Sequence, residues 1–195
     1  MIKVGITGGI GSGKSVVAQL LSIYGIPVYI ADIESKLLTD TSPVIRKELI
    51  TLLGPEAYIP CGLNRTFLAS CIFNNTKLLQ KVNAIIHPVV SEHYLMWTKK
   101  QSSLITAIES AILFESGFEA LVDIRLMVYA PKEIRIQRAM QRENTSQKEI
   151  IQRIENQMDD EIKKERSDYV IYNDMQSPLI PQIENFLDML YSKFV

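Results

Sequence analysis

Residues Gly8 to Ser15 read G-G-I-G-S-G-K-S, a complete G-x-x-x-x-G-K-S pattern between a short apolar run (Ile2, Val4, Ile6) and an amphipathic segment (Val17, Leu20, Leu21, Tyr24). Glycines at 8, 9, 11 and 13 let the backbone take positive φ and bring successive N–H groups close to an anion, which β-carbons would obstruct. A helix that starts directly after the loop adds the unpaired N–H groups and partial positive charge of its first turn. Strand, loop and helix in this order restrict the chain to an α/β fold and make it a nucleoside triphosphate binder. Gly9, Gly11, Ser12, Gly13 and Lys14 form the cradle, with Lys14 reaching the β- and γ-phosphates and the Ser15 hydroxyl offered to Mg²⁺.

A chain of 195 residues builds one compact unit with insertions, hardly two independent domains. Its 21 Lys and Arg against 22 Asp and Glu leave a formal charge of −1, so no global field draws it to nucleic acid or an anionic membrane. Met1 leads straight into a strand, and no uninterrupted apolar run is long enough to span a bilayer. The expectation is a cytoplasmic protein, monomeric or weakly homo-oligomeric. Cys61 and Cys71 lack Cys or His partners at zinc spacing and read as reduced, structural residues.

The spacing predicts strands at Ile2 to Thr7, Val28 to Ile30, Leu104 to Ile108, Ile124 to Ala130 and Tyr169 to Tyr172. Short apolar runs of this kind suit a parallel sheet covered on both sides. Between the second and third strands the pattern is helical throughout, with helices opening at Pro43, Arg65, Thr76 and Pro88. After Ala130, Pro131 opens a helix with Arg135, Arg138 and Arg142 on one face, and Ser146 with Glu149 forms a capping-box signature for the next. That next helix, with Ile150, Ile154 and Met158 in a stripe, continues into the charged run Asp159 to Arg166 and reads as a mobile, mostly solvated arm. Leu179, Ile183, Phe186, Leu187 and Leu190 read as the core face of a closing helix. The expected architecture is a three-layer phosphate-loop fold of the small-molecule-kinase kind, with a five-stranded parallel sheet flanked by helices. Its core spans 1–32, 102–130 and 168–195, with a helical acceptor-binding insertion over 33–101 and a lid over 131–167.

Sites in such sheets assemble at the carboxyl ends of strands, which places Asp32 toward the bound phosphates. From position alone Asp32 reads equally as a cap of the following helix. The layout is that of a kinase acting on a small acceptor. Thr7 to Ser15, V-Y-I-A-D-I (Val28 to Ile33), Asn83 to Pro88, Leu113-Phe114-Glu115 and Arg166 to Ile171 together resemble the dephospho-CoA kinase family, in the right order over nearly the whole chain.

The resemblance implies phosphorylation of the ribose 3′-hydroxyl of dephospho-CoA by Mg-ATP. It places Asp32 at the family's catalytic acid, as base, hydroxyl aligner or Mg²⁺ ligand, and Gly11 to Val16 in the ATP-contacting loop. Arg138 first, and with it Arg142, would neutralise phosphoryl charge on lid closure, whereas spacing alone favours a solvated helix face for any single one of them. Arg65 matches the family's G-x-x-R and His87 its His-Pro element, both on the acceptor side, with Phe114 and Glu115 lining the same site; Arg65 reads equally as an exposed surface arginine and Phe114 equally as core. Gln157 and Asn173 lie where the family approaches the nucleotide. The sequence departs from the family at Ile30, Val16, Ala111 and Met175, where an acid, Thr, Pro and Gly are usual; none touches Lys14, Ser15 or Asp32. A nucleoside or nucleotide kinase shares the loop, sheet and lid, and a GTP-dependent switch shares the loop, but neither a D-x-x-G nor an N-K-x-D element stands at a suitable position.

Overall fold

The computed structural model describes residues 1–73 and 75–194; Asn74, in the expected insertion, and Val195, at the end of the expected core, lie outside the described residues. In chain order the elements are β1 (Ile2–Thr7), α1 (Lys14–Ile23), β2 (Val28–Ile30), α2 (Ala31–Thr41), α3 (Pro43–Leu53), β3 (Tyr58–Ile59), β4 (Gly62–Leu63), α4 (Arg65–Ile72) and α5 (Thr76–Lys99). Then come β5 (Ile105–Glu109), β6 (Ile124–Tyr129), α6 (Lys132–Glu143), α7 (Gln147–Glu155), α8 (Asp160–Glu165), β7 (Tyr169–Tyr172) and α9 (Leu179–Phe194).

Runs such as Ile105 to Glu109, buried at every position, have no polar face to offer water and lie within a sheet. The sheet is five-stranded, parallel and ordered β2-β5-β1-β6-β7. In its register Ile6 stands beside Glu109 and Thr7 beside Met127, which fixes what surrounds the loop leaving β1. α1 packs on β1, β5 and β6, α9 on β7, and α8 on β6. The closing helix buries Ile183, Phe186, Leu187 and Leu190 as its spacing predicts, and Phe186 meets Tyr169 with ring centroids 5.0 Å apart.

The chain divides into two compact units, residues 30–100 and the remainder. The smaller unit has its own core of Ile45, Leu49, Ala57, Tyr58, Leu63 and Val82. Two expectations for it are corrected. Thr76 to Lys99 is one helix with Pro88 inside it rather than two. Pro88 removes one ladder hydrogen bond, yet Val82, Val90 and Tyr94 are buried on both sides of it, and this burial carries the helix through. The unit also contains a small antiparallel hairpin, β3 with β4, where only helix was expected. It turns on Gly62 at φ 127 and is held by the Asp40 carboxylate, which accepts from Leu63 N–H at 3.0 Å.

A third correction concerns Lys163 in the arm between β6 and β7, which is fully buried although it stands in the charged run. Ile136, Ala139 and Ile150 also bury themselves together with Ile10 of the phosphate loop. Most of the run Asp159 to Arg166 is exposed, as expected of a solvated arm.

Arg125 and Asp168 lock β7 to β6: the Asp168 carboxylate accepts from Arg125 N–H, Nε and Nη2 at 2.8, 2.7 and 2.8 Å. The guanidinium and its hydrogen bonds hold the Asp168 carboxyl below the usual carboxylate range. Its contribution to stability is therefore complete above the unfolded carboxylate value and is lost as pH falls through the lower folded one. Because both side chains remain more than a third exposed, Asp168→Asn should cost about 1 kcal/mol at pH 7. Urea unfolding of both proteins at pH 7, 5 and 3 should show this gap closing only at the lowest pH.

Candidate active site

The phosphate loop follows β1 without a break, and Gly13 caps α1 in the left-handed region at φ 92, a conformation that suits glycine. Gly9 and Gly11 serve close approach: a β-carbon at Gly9 would overlap Nη1 of Arg135, and one at Gly11 would overlap the Arg135 main chain. Gly13 similarly has Asn173 Nδ2 where a β-carbon would stand. Ser12 is fully buried, its hydroxyl without a hydrogen-bond partner, whereas Ser15 and Val16 are exposed on the first turn of α1.

Glu109, the last residue of β5, is buried and faces both polar side chains that follow the loop. Its Oε1 lies 3.8 Å from Lys14 Nζ and accepts a long 3.5 Å hydrogen bond from Ser15 Oγ. A cation, a hydroxyl and a carboxylate thus converge at the carboxyl ends of two neighbouring strands. Among the described residues no group of three or more His, Cys, Asp or Glu forms a cage for a metal ion. One hydroxyl and one carboxylate suit Mg²⁺, which keeps several waters and is commonly held by few protein groups plus substrate phosphates. Sequence reading ended the strand at Ile108 and missed Glu109; its signal was an acid closing an apolar run on the strand next to β1.

The arm contributes two arginines to the loop. Arg138 donates to the Asn173 carbonyl at 3.0 Å and to its Oδ1 at 3.3 Å, while Asn173 Nδ2 donates to the Ser12 carbonyl at 2.8 Å. Arg138, Asn173 and the loop are thereby brought together. Arg135, one turn earlier, is buried with its Nη1 2.8 Å from Asp160 Oδ2. This is a close charge contact rather than an aligned hydrogen bond, and Arg135 Nε has no hydrogen-bond partner. Burial pushes the Asp160 carboxyl up while Arg135 pulls it back. Gln157 Oε1 accepts from Ile10 N–H at 3.2 Å. Arg142 is not brought to the loop; it is exposed and pairs with Glu143, which also takes Arg153.

Phe114 is buried beneath the Arg166 guanidinium, 4.5 Å from its ring centroid. Glu115 is engaged within the same unit: its Oε1 accepts from Met158 N–H at 2.9 Å and lies 2.9 Å from the buried Lys163 ammonium as its ion-pair partner. Lys163 also donates to the Ala111 carbonyl at 2.8 Å. In the smaller unit, Asp32 is exposed in the first turn of α2 and makes no cap hydrogen bond at the helix start, which is set one residue earlier. Arg65 grips Asp40 with two hydrogen bonds of 3.1 and 2.8 Å. His87 is half-buried in α5, and this burial pulls its imidazole below the ordinary value, leaving it neutral at pH 7.

This geometry suits phosphoryl transfer, and comparisons with known proteins decide the family. Residues 2–178 match the model of the dephospho-CoA kinase family. The chain belongs to that family. It is a kinase that uses ATP to phosphorylate dephospho-CoA in coenzyme A biosynthesis. A dephospho-CoA kinase of Bacteroides fragilis is 53% identical over 193 residues, covering 98% of this chain and 94% of the relative. One from Porphyromonas gingivalis is 43% identical, covering 99% and 96%. A solved structure from Thermus thermophilus superposes with a TM-score of 0.84 at 32% identity, covering 100% of this chain and 98% of its own. A shikimate kinase from Acinetobacter baumannii, at 16% identity and a TM-score of 0.57, shares the fold. In this kinase no helix among the described residues is long and apolar enough to cross a membrane.

Gly11 is the loop position least able to accept a side chain, at φ 79 and against the Arg135 carbonyl. Gly11→Ala should destabilise the kinase by about 2 kcal/mol or more through left-handed strain and overlap. Gly25→Ala, at φ 82 but in open space, should cost only about 1 kcal/mol. Thermal and urea unfolding of the two variants checks this ranking.

Proposed function

We propose that the kinase transfers the γ-phosphoryl group of ATP to the 3′-hydroxyl of the dephospho-CoA ribose at the phosphate loop. The observation that carries this reading is the convergence of Lys14, Ser15 and Glu109 beside a loop that has glycine at positions 9, 11 and 13. Gly9 and Gly11 to Val16 form the cradle for the triphosphate, with the first turn of α1 turning its partial positive charge to the phosphates, and Lys14 neutralises charge on the β- and γ-phosphates. Ser15, with Glu109 behind it, would hold Mg²⁺, which when bound offsets phosphate charge. Glu109 keeps Lys14 and Ser15 oriented before nucleotide arrives.

Asp32 follows the carboxyl end of β2 by two residues and is exposed, as a group that meets a substrate must be. It aligns the ribose hydroxyl and accepts its proton. The new bond joins that oxygen to the γ-phosphorus, the bond to the β-phosphate oxygen breaks, and ADP leaves. Arg138 neutralises charge on the transferred group from the arm, and Asn173, bound to both Arg138 and Ser12, sets where that guanidinium lies. Arg142, exposed on the arm, reaches the nucleotide only by exchanging Glu143 for phosphate. Arg65 and His87 serve the acceptor from the smaller unit, Arg65 toward its diphosphate and neutral His87 as a binding rather than a catalytic group. Phe114 lines the acceptor site, and Glu115 supports it through Lys163.

ADP formation with dephospho-CoA, compared with a nucleoside panel, tests the acceptor; turnover with nucleosides alone would overturn it. Lys14→Ala should lower kcat/KM by about 100-fold or more. Asp32→Asn should leave the dissociation constant for ATP within about twofold of wild type while lowering kcat by about 100-fold or more. Steady-state kinetics with calorimetric ATP titration separates the two effects.

A further inference from the structure

Two opposite charges, Arg135 buried and Asp160 largely so, lie against the backbone of the phosphate loop, and the phosphoryl-transfer chemistry assigns neither of them a task. Arg135 is 4% exposed, and its Nη1 occupies the space a β-carbon on Gly9 would need. Asp160 Oδ1 lies 2.8 Å from the same position. The guanidinium has one close charge partner, Asp160, and its buried Nε has none. The neighbouring link is also between arm and loop, since Gln157 accepts from the Ile10 N–H and the Ile10 side chain sits in the arm's apolar cluster.

A polyanion on the main chain of this loop feels both charges at close range, and because both side chains are largely removed from solvent their interactions are screened less than in water. The cation favours the polyanion and the carboxylate opposes it. We propose that Arg135 and Asp160 are an affinity-setting pair: Arg135 is a positioning residue that strengthens the loop's hold on nucleotide phosphates. Asp160 holds that guanidinium in place and offsets part of its charge, so that the diphosphate product can leave. The inference rests on the reading that this loop holds ATP.

The test is the sign of the effect, which a purely structural staple does not reproduce. Dissociation constants for ATP and ADP are measured by calorimetry at two salt concentrations for wild type, Asp160→Asn, Arg135→Met and the double variant, with melting temperatures alongside. Asp160→Asn should tighten both nucleotides, ATP by about fivefold to tenfold, even as the melting temperature falls, because the guanidinium is then unbalanced. Arg135→Met should weaken ATP by about tenfold or more, and the double variant should return to within about threefold of wild type.

A structural staple predicts instead that both single variants weaken nucleotide binding in step with their loss of stability, and that result overturns the proposal. If Arg135→Met does not fold, Asp160→Asn decides alone: unchanged or weaker ATP binding overturns it. Failure of the wild-type protein to bind ATP would remove the functional reading itself, whereas normal wild-type binding and turnover with the wrong sign in Asp160→Asn removes only this inference.

Discussion

Binding a triphosphate through main-chain N–H groups requires a stretch of backbone stripped of side chains, and such a stretch cannot hold its own shape. The structure meets this constraint by letting other residues fill the space that β-carbons leave. Arg135 lies against Gly9 and Gly11, Asn173 against Gly13, and Ile10 turns its side chain into the cluster of Ile136, Ala139 and Ile150. The glycines therefore do two things. In the proposed function they admit phosphate on one side, and they admit supporting groups from distant parts of the chain on the other.

Those supports come from elements that the parallel sheet brings to one edge. β1 delivers the loop, and β5, its neighbour, delivers Glu109 to Lys14 and Ser15. β7 delivers Asn173, which donates its own N–H to the Tyr129 carbonyl at the end of β6. Each contact is modest by itself. Their common position at carboxyl ends of strands is what makes a site of them.

Much of this was legible in the sequence because it is local. The glycine pattern, the apolar runs of the sheet, the capping box at Ser146 and the core face of α9 are all read within a few residues. What was not legible depends on partners far away in the chain. Pro88 reads as a helix start because nothing nearby reveals that Val82, Val90 and Tyr94 are buried on either side of it. Lys163, in a run of charges, reads as solvated, since its acceptor Ala111 and its ion-pair partner Glu115 lie some fifty positions earlier. Arg135, Arg138 and Arg142 look equivalent by spacing, yet one is buried against Asp160, one braces Asn173 and one faces water. Burial, the property that separates them, is a product of tertiary packing and leaves no mark on spacing.

Ile10 belongs at once to the phosphate loop and to the apolar cluster of the arm, buried to 8% exposure among Ile136, Ala139 and Ile150. Close-packed clusters resist being pulled apart one side chain at a time. Any swing of α6 and α7 must therefore either drag the third residue of the loop along or first extract it, which makes the arm a lever whose fulcrum is the nucleotide cradle itself.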